Sequence, residues 1–288
     1  MNCLSIAERA RIIYCLVEGN SIRATVRMTG FAKNTVVKLL VDMGAACMQY
    51  HDDHVRGLHS KRVQSDEIWS FVGAKQKNVR EENADKQGDV WTWTAIDADS
   101  KLIVSYLVGQ RGPRWAKAFM EDVASRIDSR IRVQLTTDGL KMYGEAVEGA
   151  FGMDVDYAML IKLYGNSSHD LRYSSGECIG TQTAVLMGDP DPKHISTSFV
   201  ERQNLTMRMH IRRFTRLTNA FSKKMENHEA AVALHFMYYN FCRIHKTLRV
   251  TPAMESGIAR HAWTIEELVS IMPIEEPKKR GSYKNRAE

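Results

Sequence analysis

The sequence has 288 residues, 44% of them hydrophobic, which is typical of a globular chain with one domain of ordinary size and a smaller module. Lysine and arginine number 40 against 34 acidic residues, so the formal net charge of +6 mildly favours a polyanionic partner. No apolar run reaches the roughly 18 residues that a membrane helix needs, and the N-terminus lacks the apolar region of a signal peptide. These features argue against an integral membrane protein and predict a soluble, cytoplasmic one.

The five cysteines are scattered along the chain without a Cys-x-x-Cys pair, which is typical of reduced thiols. Cys47, His51 and His54 would share one face of a helix, and His59 follows closely, so a zinc site is one interpretation of this cluster. The spacing is not that of a standard zinc finger. The preferred interpretation is a polar helix end that leads into a linker.

Three short helices are predicted at the N-terminal end of the chain. Ser5 and Glu8 form a capping-box pattern at the start of the first helix. Ser21 can cap the second helix, and Gly30 supplies a turn before a third helix that begins near Ala32. Three helices of this kind with a glycine turn suggest a helix-turn-helix.

In a helix-turn-helix, the N-terminal residues of the second helix of the pair enter the major groove of DNA. Lys33, Asn34 and Lys38 are therefore candidates for contact with bases or phosphates. The alternative is a small helical bundle with a solvated basic face. The preferred interpretation is a DNA-binding domain at the N-terminal end.

The spacing of the apolar residues changes from residue 62. The segments VQSDEIWSFVG, VWTWTAID and LIVSYLVG are rich in β-branched and aromatic residues and predict an antiparallel meander. Pro113 opens a predicted helix, a fourth strand follows around 131–135, and a helix and a strand lie around 140–150 and 155–163. This order predicts the α/β class, with an RNase H-like mixed sheet and flanking helices.

Three acidic residues are candidates for catalysis on this frame. Asp66 is at the start of the first strand, Asp138 follows the fourth strand, and Glu201 is near the start of a later helix. A charge at a strand position is costly unless it is balanced, and Mg²⁺ suits carboxylates because it prefers oxygen ligands. In a site with two such ions, one activates the attacking water or 3'-hydroxyl and the other stabilises the leaving oxygen.

Each acidic residue also has a purely structural interpretation. Asp66 could be a solvent-facing group at a strand edge, with Glu67 on the opposite face, and a shift of one residue in register would exchange the two. Asp138 could belong to a turn with the glycine that follows it. Glu201 could complete a capping box with Ser198.

The segments DEIWSFVG, TTDGLKMY and FVERQNLTMR occur in this order on the expected elements. Together with the preceding helix-turn-helix, they resemble the DDE transposases of bacterial insertion sequences. The later stretch YYNFCRIHKTLRVTPAM also recurs in such enzymes. The two catalytic aspartates of the family fall on Asp66 and Asp138, and its glutamate falls on Glu201.

The resemblance implies an enzyme that cleaves and transfers DNA strands at the ends of an insertion sequence. It implies a site of two Mg²⁺ ions, for which Mn²⁺ substitutes, held by the three acidic residues. It also implies double-stranded DNA partners, namely the element ends and the target, a homo-oligomer on that DNA, and a location in the cytoplasm at the nucleoid.

These observations predict three units in the chain. Residues 1–59 form the helix-turn-helix domain and its linker, and residues 60–250 form an RNase H-like DDE catalytic domain. A long irregular insertion is expected at about 164–193, because this stretch is rich in glycine, serine and Asp-Pro. Residues 251–288 form a C-terminal segment whose basic tail is expected to be disordered.

A basic stretch begins at the helix of the glutamate. Glu201, Arg208 and Arg212 would share one helix face, so a DNA backbone could lie along that face. Arg202 could position the scissile phosphate. The alternative is a solvated basic helix. Two further candidates for DNA contact are Arg213 and Arg216.

Two other functions remain open from the sequence alone. One is a nuclease or resolvase of the same fold, which differs from a transposase in whether a 3'-hydroxyl can replace water as the attacking group. The other is an inactive DNA-binding derivative, against which the intact acidic residues argue.

Overall fold

A computed structural model describes residues 4–165, 178–215 and 218–273. Three helices come first, and both expected caps are present: the capping box of Ser5 with Glu8, and Ser21 at the second helix. Gly30 ends the second helix with a φ of 80°, a left-handed conformation that glycine adopts without strain. The third helix is much longer than expected. The bounds are α1 (Ile6–Val17), α2 (Ile22–Thr29) and α3 (Lys33–His54).

Six strands form one mixed sheet. The three strands predicted as a meander are present and pair antiparallel, and the two later predicted strands are also present. The strands are β1 (Arg62–Val72), β2 (Gly88–Asp97), β3 (Ile103–Gly109), β4 (Val133–Thr137), β5 (Val155–Tyr164) and β6 (Cys178–Met187).

The order of the strands in the sheet is β3-β2-β1-β4-β5-β6. The pairs β1 with β4 and β4 with β5 are parallel, whereas β1 with β2, β2 with β3, and β5 with β6 are antiparallel. An antiparallel meander followed by parallel strands that are joined through helices is the RNase H-like arrangement. The predicted fold class is therefore confirmed.

Helices cover both faces of the sheet. On one face, α4 and α5 pack against side chains such as Trp93 and Leu135, and on the other, α6 and α7 pack against Ile68 and Ile96. Alternate residues of a strand point to opposite faces, so this division follows from the strand sequences. The helices are α4 (Pro113–Arg126), α5 (Met142–Phe151), α6 (Ser198–His210) and α7 (Met225–Met237), followed by two short helices, α8 (Pro252–Glu255) and α9 (Ile265–Ser270).

The N-terminal helices pack directly on the rest of the protein. At Gly44 of α3, a Cβ atom would lie only 2.4 Å from the Cα atom of Ala230 in α7, so the two helix backbones are in close contact. Buried residues of α1 and α3 belong to the same hydrophobic cluster as those of α4 and α5. The boundary near residue 60 stays a prediction, and a fragment that ended there would expose this apolar surface.

The interpretation of residues 164–193 as an irregular insertion is wrong for its second part. Residues 178–187 form strand β6, which pairs with β5 at the edge of the sheet. Most of its side chains are exposed, so the strand lacks the apolar alternation by which a half-buried strand is recognised. A 3₁₀ turn follows at Pro192–His194, and residues 166–177 lie outside the described residues, as does the tail from residue 274.

Along the described part of the chain, no helix combines the length and the apolar character needed to cross a membrane.

Candidate active site

The acidic centre forms where two parallel strands separate. Strands β1 and β4 pair in register up to Ser65 opposite Thr137, and the residue after each of these two is an aspartate, Asp66 within β1 and Asp138 just beyond β4. The carboxyl ends of adjacent parallel strands open a crevice of the kind that binds ligands in α/β proteins. The register therefore places the two predicted aspartates side by side.

A third carboxylate, that of Glu67, joins them. Ligand oxygens of Asp66, Glu67 and Asp138 all lie within 4.8 Å of one another, and among the described residues this is the only such acidic or His/Cys group able to hold a metal ion. Strand alternation predicts that Glu67 points away from Asp66. The Asp66 carboxylate instead turns along its own backbone, where Oδ1 accepts the N–H of Glu67 at 2.8 Å.

Glu67 is held from two sides. Its Oε1 accepts hydrogen bonds from Arg111, at 2.9 Å from Nε and 2.7 Å from Nη2, and its Oε2 accepts the hydroxyl of Tyr143 at 3.2 Å. The Glu67 side chain is only 3% exposed. Sequence reasoning considered Glu67 only as an alternative to Asp66, because the partners of Glu67 lie in the β3–α4 connection and in α5, and no local pattern links them to it.

Asp66 is fixed by helix α6. The Asn204 side chain donates from Nδ2 to Asp66 Oδ2 at 2.8 Å. The other amide atom, Asn204 Oδ1, is buried with no hydrogen-bond partner within the protein. Asn204 thus ties the helix of Glu201 to strand β1 and offers one unsatisfied oxygen beside the carboxylates.

Glu201 lies in the first turn of α6 but outside the group of three. Its carboxylate forms an ion pair with Lys162 of β5, accepts the hydroxyl of Thr197, and is 37% exposed. The helix begins at Ser198 with Thr197 as its N-cap and without a side-chain cap hydrogen bond, so the capping box of Ser198 with Glu201 is not present. Its charge still reaches Asp66 and Asp138, since it contributes to the raised pKa of both.

The electrostatics of the centre disfavour three bare negative charges. Burial, and then the neighbouring charges of Asp138 and Glu67, raise the pKa of Asp66 to about 8. Burial and Asp138 raise the pKa of Glu67 to about 7 despite Arg111. Burial also raises the pKa of Asp138, although the backbone N–H of Leu140 donates to it at 3.1 Å. Clustered carboxylates of this kind favour a bound cation.

The donor set fits a hard divalent cation. Asp66, Glu67 and Asp138 supply carboxylate oxygens, Asn204 supplies an amide oxygen without a partner, and such oxygens are the ligands of Mg²⁺. The centre can therefore hold a metal ion.

The metal-free protein should respond to pH through Asp66. Because the pKa of this carboxyl is raised to about 8 in the fold, the folded chain binds a proton that the unfolded chain lacks between about pH 4 and pH 8. The contribution of Asp66 to stability should be fully present below that window and should be lost as pH rises through it. In EDTA at pH 8, Asp66→Asn should therefore be more stable than the native chain by at least about 1 kcal/mol in urea unfolding.

The same comparison at pH 5 provides the control, since the advantage of the Asp66→Asn variant over the native chain should shrink there. Adding Mg²⁺ at pH 8 should raise the melting temperature of the native chain more than that of Asp66→Asn. Equal responses of the two proteins to pH and to Mg²⁺ would contradict this account of the centre.

Among the described residues, the cysteine and histidine cluster does not bring three ligand atoms together. His51 Nε2 is within 3.2 Å of the carbonyl oxygen of Ile103, and burial lowers the pKa of His51 to about 4. His54 stacks on Tyr50 with 3.8 Å between ring centroids, and His59 lies 3.6 Å from Asp128. The end of α3 is thus partly buried, whereas the sequence suggested a polar helix end throughout.

Several residues predicted to contact DNA line one groove. The groove has a volume of about 1000 Å³ and separates α2 and the start of α3 from the segment that joins α6 to α7. It has a basic rim, to which Arg23, Lys223 and Lys224 add charge. The predicted residues in its lining are Lys33, Asn34, Lys38, Arg212 and Arg213.

The remaining arginines are placed differently from one another. Helix α6 ends at His210, so Arg212 lies in a 3₁₀ turn beyond the helix, and the predicted continuous face from Glu201 is interrupted there. Arg202 is exposed on α6, and Arg208 is half-buried. Arg216 lies outside the described residues.

Arg213 is directed partly inward. Its Nη1 donates to Ser222 Oγ at 2.9 Å, and burial lowers its pKa to about 10. Ser222 Oγ also lies 3.0 Å from His228 Nδ1, and His228 Nε2 lies 3.1 Å from Ser70 Oγ. This buried network fastens the segment between α6 and α7 to strand β1.

No protein-family model matches the sequence, and no curated protein matches it. Among solved structures, the pre-cleavage Mos1 transpososome is similar over 55% of this chain and 60% of that chain, with 10% identity and a TM-score of 0.23. The Mos1 strand transfer complex has 10% identity and a TM-score of 0.25, covering 96% of this chain and 81% of that chain.

A piggyBac transposase synaptic complex with hairpin DNA is similar over 93% of this chain and 70% of that chain, with 9% identity and a TM-score of 0.35. The match to the pre-cleavage Mos1 complex spans about 60% of the length of its chain. Likenesses at these TM-scores carry no weight for function, and the fold assignment rests on the strand order and register.

Proposed function

We propose that this chain is a DNA transposase that performs metal-dependent strand cleavage and strand transfer at the ends of an insertion sequence. The observation that carries the proposal is the acidic centre at the separation of β1 and β4, with ligand oxygens of Asp66, Glu67 and Asp138 within 4.8 Å of one another. The motifs around Asp66, Asp138 and Glu201 support the choice of transposase among enzymes of this fold.

In this proposal, Asp66, Asp138 and Glu201 would hold two Mg²⁺ ions. When bound, such a pair activates the attacking oxygen and stabilises the leaving oxygen at the scissile phosphate. Asp66 and Asp138 follow the paired ends of the two strands, and Glu201, which forms an ion pair with Lys162 in this structure, would have to leave that partner to become a ligand. Asn204 orients Asp66, and Arg111 and Tyr143 hold Glu67 beside the pair.

The DNA would enter through the basic groove. Glu201 and the groove residue His210 are nine residues apart on α6, which corresponds to roughly 14 Å along a helix. A strand whose phosphates contact Arg212 and Lys223 could therefore reach the acidic centre within a few nucleotides. Lys33 and Asn34 line the same groove, so the predicted recognition helix and the centre would act on one DNA molecule. Assembly as a homo-oligomer on two element ends is part of the proposal.

The direct test uses the full chain with a duplex that carries the DNA flanking its own gene, and a second, unrelated target duplex. With Mg²⁺ or Mn²⁺, the proposal expects nicked ends and covalently joined products on a denaturing gel, and with EDTA it expects neither. Ca²⁺ should support binding better than chemistry because its geometry is looser.

The same gel separates the two alternative functions. Cleavage without joined products, at all metal concentrations, would favour a nuclease or resolvase of the same fold. Binding without cleavage in Mg²⁺ and in Mn²⁺ would favour an inactive DNA-binding derivative.

A further inference from the structure

A row of aromatic side chains begins next to the acidic centre. Trp69 and Phe71 follow Glu67 at intervals of two along β1, so the three residues share one face of the strand. The ring centroids of Trp69 and Phe71 are 5.8 Å apart, and Phe71 lies 4.7 Å from Phe221. The row starts about 7 Å from Glu67, at roughly 3.3 Å of strand per residue.

Lysines accompany these rings. Lys75 Nζ lies 5.7 Å from the centroid of Trp69 and 5.9 Å from that of Phe71, and Lys223 Nζ lies 4.0 Å from the centroid of Phe221. Both lysines are exposed, whereas the three rings are half-buried. The row therefore presents partly accessible aromatic surface under positive charge.

Backbone hydrogen bonds fix the position of Phe221 relative to strand β1. Phe221 precedes Ser222, which bridges to Val72 and accepts the N–H of Gly73 at its carbonyl oxygen at 2.8 Å. The Ser222 hydroxyl is fixed in turn by His228. Phe221 and Lys223 also line the basic groove, so the row connects the acidic centre with that groove.

We propose that the row of Trp69, Phe71 and Phe221, with Lys75 and Lys223, binds an unpaired segment of the DNA strand next to the scissile phosphate. Proteins bind single-stranded nucleic acid through aromatic rings beside positive charge, because each exposed base can stack on a ring and each phosphate can pair with a cation. A duplex cannot use the rings in this way, since its bases already stack on one another. This proposal rests on the proposed function. It adds that the protein recognises unpaired DNA next to the scissile phosphate.

The test measures binding of the full chain in EDTA to a fluorescein-labelled 12-nucleotide oligo(dT) and to a mixed-sequence 12-base-pair duplex. Trp69→Leu, Phe71→Leu and Phe221→Leu keep an apolar side chain of smaller volume and remove the stacking surface. Each is expected to raise the Kd for the single strand about tenfold and to change the Kd for the duplex less than about twofold. Tyr14→Leu is the matched control, because Tyr14 is 56% exposed on α1, away from the row.

A second readout does not depend on the leucine variants folding. Oligo(dT) should quench tryptophan fluorescence in the native chain, and Trp69→Phe should keep the affinity but lose most of the quench. The exposed lysines offer a further check, since Lys75→Gln and Lys223→Gln should each weaken single-strand binding several-fold. Native-like single-strand affinity in all folded variants, or equal losses on duplex and single strand in the three leucine variants, would overturn the proposal.

The outcome is separable from that of the proposed function. If the native chain cleaves DNA but the variants bind the single strand with unchanged affinity, only the proposal of single-strand binding by the aromatic row would be overturned. If the native chain cleaves no DNA but the variants lose single-strand affinity, the result would support single-strand binding by the aromatic row and contradict the proposed transposase activity.

Discussion

Asp66→Asn and Asp138→Asn are each expected to reduce DNA strand cleavage in Mg²⁺ at least about a thousandfold. The amide keeps the shape of the side chain but removes the negative charge at the point where β1 and β4 separate. Ligands of one metal centre act as a unit, so the double variant should be hardly worse than either single variant. Rates are measured as nicked duplex under single-turnover conditions, and the affinity for the uncut duplex should change little.

Two further variants separate Glu201 from the rest of the acidic surface. Glu201→Gln should match the aspartate variants if Glu201 becomes a ligand after leaving Lys162. Glu148→Gln, at an exposed position on α5, is the matched control and should cleave at the native rate. A native rate in Asp66→Asn or Asp138→Asn would remove that residue from the centre.

Gly44→Ala should destabilise the whole protein by about 3 kcal/mol. The added Cβ would lie 2.4 Å from both the Cα and the Cβ of Ala230, and backbone atoms at that distance cannot yield without shifting α3 or α7. Overpacking of this kind typically costs about 1–3 kcal/mol, and here the contact is between helix backbones. The expected fall in melting temperature is about 5–10 °C by differential scanning calorimetry.

Gly149→Ala is the matched control for this substitution. Gly149 is also within a helix, α5, but an added Cβ there meets nothing within 4 Å. Alanine should then stabilise the protein by about 0.5–1 kcal/mol, because glycine is the poorer helix former. If both variants were stabilised, α3 would not be packed against α7 as described.

Most helices and strands of this protein could be predicted from the sequence, because these elements depend on local patterns. The alternation in VWTWTAID, the capping box at Ser5 and the proline at the start of α4 each specify an element without reference to distant residues. The neighbouring positions of Asp66 and Asp138 follow once β1 and β4 are taken as adjacent parallel strands. Their side-by-side placement was therefore within reach of sequence reasoning.

The features that sequence reasoning missed depend on partners far along the chain. Glu67 joins the centre because Arg111 and Tyr143 hold it, and the Asp66 carboxylate bends toward it, contrary to simple alternation. The inward direction of Arg213, which remains a predicted DNA contact, depends on Ser222 and on His228, which holds Ser222. Strand β6 was missed because an exposed edge strand needs no apolar alternation.

The contact between Gly44 and Ala230 also bears on the order in which the chain folds during its synthesis. Helices α1 to α3 leave the ribosome first, yet α7, on which α3 packs, is made only after the sheet and α6. Until then the apolar face of α3 has no partner, and contacts between distant segments form slowly because long loops must close first. The hydrogen bond from Asn204 to Asp66 spans 138 residues and must wait as well. A nascent chain that already exposes its N-terminal helices therefore has no assembled acidic centre.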